Sequence, residues 1–329
     1  MRGNLVRWIL AVLLLAAMTL VVSSPSLAEI QPIGIEMTEH GRPMKKDGWT
    51  TKEGLAKWKE ENKNKEEYKK TSMTHEYQDE SIHVQAFARK RKPKTSSDTT
   101  VCRWVLIDIA DPSQIRTTFS DDSYESRKQE RSKQMAQRVN AVVAMNADFV
   151  KFDPGFGYVI RQGVFYRDEL DQQKFPRDVL VIDNEGDFHV VPKASSADMA
   201  AFLQELEAEG RQAINTFTFG PTLVIDGVAQ EIDREGEHVP KMATQRICIC
   251  QLDHLKYAIV EIDGGNGLGM NLNELAAFVA EILPETKIAY NLDGGGSTHL
   301  LLNGKMIHDT PNSRQISDLI YFGSAAGEE

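Results

Sequence analysis

"YAIVEIDGGNGLGMNLNELAAFVAEILPETKIAYNLDGGG" runs from Tyr257 to Gly296, and its reading decides the fold. Tyr257 to Ile262 is apolar and strand-like. Asn271 then opens a helix, with Glu274 three positions on, the spacing of a capping box. Leu272, Leu275, Ala276, Val279 and Ile282 fall on one helical face, and Pro284 ends it. Ile288 to Leu292 is the next strand. Strand, helix and strand of this length predict a βαβ unit near the C-terminus, its two strands parallel in one sheet.

Three strand ends share one chemistry. Ile262 leads into Asp263-Gly264-Gly265, Leu292 into Asp293-Gly294-Gly295-Gly296, and Met145 into Asn146-Ala147-Asp148. The carboxyl edge of parallel strands is where open α/β sheets bind ligands. Glycines there let the backbone adopt positive φ and bring bare N–H groups close to a ligand. Ser297 and Thr298 add donors. The alternative is a glycine-rich turn needed only for geometry. A phosphate P-loop does not fit, because no lysine follows the glycines. Asn303-Gly304 instead signals a hairpin.

Outward from this unit, Val101 to Ala110 reads as the first core strand and Glu125 to Asn140 as a helix. Short strands are expected at 141–145, 157–160, 164–166, 179–182, 189–191 and 222–225, the last closed by the Asp226-Gly227 turn. A helix is expected over Ser196 to Gly210. The fold class is α/β to α+β, a single catalytic domain over residues 76–329 on a mixed sheet. Residues 29–75 read as a charged helix or linker outside the core, with Thr50 and Glu53 as a capping box and a thin stripe of Leu55, Trp58 and Tyr68. Arg89 to Lys94 is a basic run, read as a solvated turn or a weak contact with an anionic polymer.

Residues 1–28 have the pattern of a secretory signal peptide: Arg2 and Arg7, an uncharged apolar run from Ile9 to Val22, then Ser26-Leu27-Ala28. The alternative is an uncleaved anchor, the one membrane contact expected. The chain is thus expected to be secreted or extracytoplasmic. A formal charge of −10 argues against a nucleic-acid partner, which would want a basic surface. Cys102, Cys248 and Cys250 form no zinc-site spacing and read as small buried hydrophobes.

Met145-Asn-Ala-Asp-Phe149, Phe219-Gly-Pro-Thr-Leu223, Arg246, Asp263-Gly264 and Asn291 to Ser297 together resemble the marks of the phosphodiester glycosidase family, in its order. The resemblance covers roughly Val101 to Gly323, and the family includes bacterial exopolysaccharide-associated relatives. Two departures stand out: Gly265 replaces a frequent Arg, and Ile247-Cys-Ile-Cys250 replaces Thr-Ala-Ile-Gly. The resemblance implies hydrolysis of a glycosyl-1-phosphodiester in a cell-surface or secreted glycan or polysaccharide, without a cofactor. Asp148, Asp263 and Asp293 are the candidate catalytic carboxylates. Arg246 and Arg314 are candidate phosphate clamps, since a guanidinium grips two oxygens. Asn146, Asn291, Gly294, Gly295, Gly296, Ser297 and Thr298 are candidate substrate contacts. His299 is either an acid or base or a structural histidine. Two other functions fit the same residues. One is a metal-dependent phosphodiesterase with Ca²⁺ or Mg²⁺ on the three aspartates. The other is a non-catalytic glycan-binding protein of exopolysaccharide or envelope biogenesis.

Overall fold

The computed structural model describes residue 33 and residues 40–68, 70–94, 98–150, 155–233, 241–264, 268–308 and 313–326. The expected signal peptide at 1–28 lies outside them. In chain order come α1 (Lys52–Asn62), β1 (Ser72–Gln78), β2 (Ile82–Arg91), β3 (Thr100–Ile109), β4 (Ile115–Phe119), α2 (Ser132–Arg138) and β5 (Ala141–Asn146). Next are β6 (Tyr158–Arg161), β7 (Val164–Asp168), β8 (Val179–Asp183), β9 (Phe188–Val191), α3 (Ser196–Ala208), β10 (Ala213–Phe217), β11 (Thr222–Ile225) and β12 (Val228–Ala229). The last are β13 (Arg246–Asp253), β14 (Lys256–Ile262), α4 (Leu272–Ile282), β15 (Ile288–Asn291), β16 (Leu300–Leu302), β17 (Lys305–Met306) and β18 (Asp318–Gly323).

An eight-stranded sheet, β1-β2-β3-β14-β13-β15-β11-β12, packs face to face on a five-stranded sheet, β17-β16-β5-β18-β4. Val105, Ile107, Ile249 and Ile259 of the first meet Val143, Met145, Leu300 and Ile320 of the second. On the outer face of the large sheet, Cys248, Cys250, Ala258 and Val260 pack under Leu275, Ala276 and Val279 of α4. The outer face of the second sheet is covered by Met135, Ala136 and Val139 around α2. The order is therefore helix, sheet, sheet, helix, with a smaller β10-β8-β9 sheet at the side.

The sheet is not mixed. Among the described residues every strand pairing is antiparallel. The expected βαβ strands, β14 and β15, are not neighbours, because β13 lies between them and pairs antiparallel with both. The physical reason is burial. A near-continuous apolar run marks a strand covered on both faces, which parallel sheets usually supply. Here α4 and the second sheet cover both faces of an antiparallel sheet instead. The directional expectation survives the correction. Both β14 and β15 oppose β13, so their carboxyl ends reach the same edge.

Local signals held where side chains meet their own backbone. Asn271 accepts from Glu274 N at 2.8 Å and Glu274 accepts from Asn271 N at 3.2 Å, the expected capping box. Asp226-Gly227 and Asn303-Gly304 turn with positive φ throughout. The cap of α1 is Thr51, which accepts from Gly54 N, while Thr50 donates to Glu76 Oε2 at 2.9 Å. Glu53 thus does not form the capping box read from it. The helix also joins the core, since Leu55 and Trp58 pack on the cluster beneath α4. The expected boundary at 75/76 falls inside β1. Arg89 and Arg91 do not form a solvated turn; they end β2, both pair with Glu281 of α4 and lie 5.0 and 5.1 Å from the Phe278 ring centre. The helix read over 125–140 spans only Ser132–Arg138.

Candidate functional site

The ends of β14 and β15 flank the start of β13, where Arg246 pairs with Ile262 and Cys248 with Asn291. Gln245, just before β13, is squeezed between the two glycine runs. A Cβ on Gly264 would stand 2.5 Å from Gln245 N, and one on Gly294 would stand 2.8 Å from Gln245 O. These two glycines serve the close approach of backbone to backbone. Gly295 differs. Its φ is +60°, and a Cβ there would meet nothing nearer than Thr244 Oγ1 at 4.0 Å. Its N–H donates to Gln245 O at 3.1 Å. The loop closes through Ser297 N to Gly294 O, Thr298 N to Gly295 O, and Arg314 N to Gly296 O at 2.9 Å.

Asn146 at the end of β5 fixes this loop from beneath. Its Nδ2 donates to Asp293 O at 2.7 Å, and its Oδ1 accepts from His299 N at 2.8 Å. The Asp293 carboxyl is pushed up to about 6 by burial, against the Ser297 hydroxyl, the Arg314 charge and the Gly294 N–H, which favour the ion. The negative field of Asp148 adds to the rise. Arg314 itself is exposed. Burial lowers the His299 imidazole to about 4, so it is neutral at pH 7; its Nε2 lies 2.9 Å from Ser313 Oγ. Gln245 Nε2, Asn291 Oδ1 and His299 Nδ1 are buried with no hydrogen-bond partner among the described residues. Buried polar atoms without partners, on the loop and on the segments next to it, are the kind a ligand or its water satisfies.

The other candidate residues sit differently. Asp148 is buried and accepts from Thr218 N at 2.9 Å and Phe219 N at 3.1 Å. It therefore holds the Phe219-Gly-Pro turn, whose Gly220 O accepts from Asn291 Nδ2 at 2.8 Å. Arg161 stands between Asp148, at 3.6 Å, and Asp318, at 2.8 Å. Arg246 is buried, donates to Met270 O and Met242 O, and is lowered to about 10 by burial. Asp263 lies 2.9 Å from Arg103 Nη1, which also reaches Glu261 Oε2 at 3.0 Å. Burial first, and the Asp263 charge second, hold the Glu261 carboxyl well above its usual range.

The three aspartates do not converge on a cation. Among the described residues the cluster that brings metal-type donor atoms within 4.8 Å of one another is Glu261, Asp263 and His308. It suits a metal poorly. His308 Nε2 accepts from Leu300 N at 2.9 Å, so the ring proton sits on Nδ1, the atom 3.4 Å from Glu261. That leaves no lone pair for a cation, and the Arg103 guanidinium opposes one. Sequence reading missed Gln245, Glu261, Arg103, Arg161 and Asp318. A visible signal existed for Arg103 and Glu261: a charge inside an apolar strand, as in Val-Glu-Ile, is costly and needs a partner.

A sequence profile of the phosphodiester glycosidase family matches residues 139–323. Among solved structures, the chain is similar to the zebrafish N-acetylglucosamine-1-phosphodiester alpha-N-acetylglucosaminidase catalytic domain auto-inhibited by its pro-peptide. The TM-score is 0.57 at 18% identity, over 74% of this chain and 83% of that one. A hypothetical protein from Synechocystis gives 0.47 at 15% identity over 74% and 62% of the two chains. A protein from Burkholderia pseudomallei gives 0.45 at 16% over 70% and 75%. No curated protein matches the chain.

Proposed function

We propose, from the premise that this chain belongs to the phosphodiester glycosidase family, that it hydrolyses a glycosyl-1-phosphodiester in a cell-surface or secreted glycan. One observation carries the reading: a half-exposed loop presents Asp293, tuned to about 6, beside Ser297 and the Arg314 charge. Cleaving a sugar–phosphate bond develops positive charge on the sugar ring and negative charge on the departing phosphate. Asp293 supplies the carboxylate for the first. Arg314 and the Gly294–Ser297 backbone supply donors for the second. Phosphate is a good leaving group, so no strong general acid is required. In this reading Asp148 and Asn146 position the loop and do not touch the substrate. The zebrafish enzyme's name gives the nearest sugar class to try, N-acetylglucosamine in phosphodiester linkage. The signal-peptide pattern of residues 1–28 supports a substrate outside the cytoplasm.

The test is a small sugar-phosphate-alkyl diester. Free sugar and an alkyl phosphate are the expected products, and Asp293→Asn should slow their release by about 10²–10⁴-fold. Sugar 1-phosphate and free alcohol would instead reveal a phosphodiesterase.

A further inference from the structure

A cavity of about 580 Å³ opens between β1, β3 and the β16–β17 hairpin. That is within the size range of small-molecule sites, roughly 300–1,000 Å³. None of its lining residues belongs to the Asp293 loop. Its charged lining is basic, Arg103 and Lys305, beside the neutral imidazoles of His75 and His308. No carboxylate lines it among the described residues. Glu261 and Asp263 stand behind Arg103 and hold its Nη1. The Nε and Nη2 groups of Arg103 make no hydrogen bond among the described residues. Lys305 is exposed and has no acidic partner among the described residues. The cavity floor thus offers a guanidinium fixed in place, with its outer donors unspent.

The walls add a ring-sized surface. Trp49 is half-buried and packs on Tyr77 at 5.0 Å. Its indole N–H is buried with no hydrogen-bond partner among the described residues. Thr50, Thr74 and Asn303 contribute hydroxyl and amide groups. An aromatic face, flanked by small polar groups and an anchored cation, matches a saturated polar ring that carries an anion.

We propose that this cavity is a second carbohydrate subsite, taking a sugar that bears an oxyanion, with the anion on the outer edge of Arg103 and the ring against Trp49. The oxyanion is a carboxylate or a phosphate; both offer the paired oxygens a guanidinium grips. The subsite does not depend on the Asp293 chemistry. It would let the protein hold an anionic polymer at a point away from the cleaved bond.

The experiment is calorimetric titration of the full chain carrying Asp293→Asn, with glucuronate, glucose 1-phosphate and neutral glucose. Saturable binding of either anionic sugar, with glucose at least about tenfold weaker, is expected, the worth of one charge-assisted hydrogen bond. The tighter of the two anions identifies the oxyanion. Arg103→Lys keeps a positive charge beside Glu261 and Asp263 but loses the planar edge. It should weaken binding by about tenfold. Lys305→Ala and Trp49→Ala, at positions with no buried ion pair, should each weaken it as well. They carry the test if Arg103→Lys fails to fold. Equal binding of glucose, no binding of either anion, or affinity unmoved in all folded variants would overturn the proposal. Because Lys305 is not among the groups acting on Asp293, Lys305→Ala in the otherwise unaltered chain should leave turnover of the small diester unchanged. A subsite that holds while the diester is not cleaved would remove only the catalytic reading.

Discussion

At the scale of single residues, Asp293 is where burial meets the proposed chemistry. Its carboxyl keeps a proton up to about pH 6 in the fold, against 3.8 for an ordinary aspartate. Between those values the folded chain binds more protons than the unfolded one, so stability falls as pH rises through the window. Asp293→Asn carries no such cost. Its melting temperature should gain on that of the unaltered protein from pH 4 to 6 and keep the gain above 6. A difference independent of pH would mean the carboxyl is not buried in solution. Because the ionised form is the one proposed to act, kcat/KM should drop below about pH 6. The adjacent glycines separate two roles. Gly294→Ala drives a methyl into Gln245 and should cost about 1–3 kcal/mol, as overpacking does. Gly295→Ala has open space and only left-handed backbone strain, roughly 1–2 kcal/mol. Its methyl would stand over the loop, so KM should rise more than for Gly294→Ala. Thermal unfolding and KM on both variants decide this.

At the scale of elements, α1 and β1 test what the charged N-terminal region does. Their polar surface hides a real attachment. Trp58 and Tyr68 pack edge to face at 5.0 Å, and both reach Phe87 of β2. Trp49 bridges to Tyr77, whose hydroxyl accepts from Lys45 N at 3.0 Å. A chain beginning at Glu76 loses α1 and the first part of β1 and uncovers Phe87. It should unfold at lower urea than a chain beginning at Glu29, or aggregate. Equal midpoints would show that the region is only a tether. The Arg89 and Arg91 pairs with Glu281 are half-exposed, so their worth is about 0–1 kcal/mol and falls with salt.

At the scale of the whole molecule, one buried cation ties the β6-β7 hairpin to the end of the five-stranded sheet. Arg161 is 1% exposed and stands between Asp148 and Asp318. Burial, more than any neighbour, pushes Asp318 up to about 7, with Arg161 opposing the rise. Arg161→Met leaves two buried carboxyls without their counter-ion. The expected loss is about 3–5 kcal/mol, the usual result of breaking a buried pair. The defect should shrink at acid pH, because a protonated carboxyl needs no counter-ion. Urea unfolding at pH 5 and pH 8 measures it. A loss equal at both pH values would place the damage in packing alone.

What the sequence determined by itself was local. Periodicity placed α4 and the strands around it. Side chain to backbone chemistry placed the Asn271 cap and the Asp226-Gly227 and Asn303-Gly304 turns. Motif order pointed to the family and to the loop at Asp293. These signals involve residues a few positions apart, so one stretch of chain contains both partners. Tertiary structure decided the rest. Strand neighbours depend on which distant segment fills each slot; β13 took the place between β14 and β15, and the sheet became antiparallel. The roles of the aspartates were also decided at a distance. Asp148 faces the backbone of residues 218 and 219, Asp263 faces Arg103, and Asp293 lies in the glycine loop that Asn146 holds. A carboxylate's chemistry is set by its burial and by what stands opposite, and both come from chain far away in sequence.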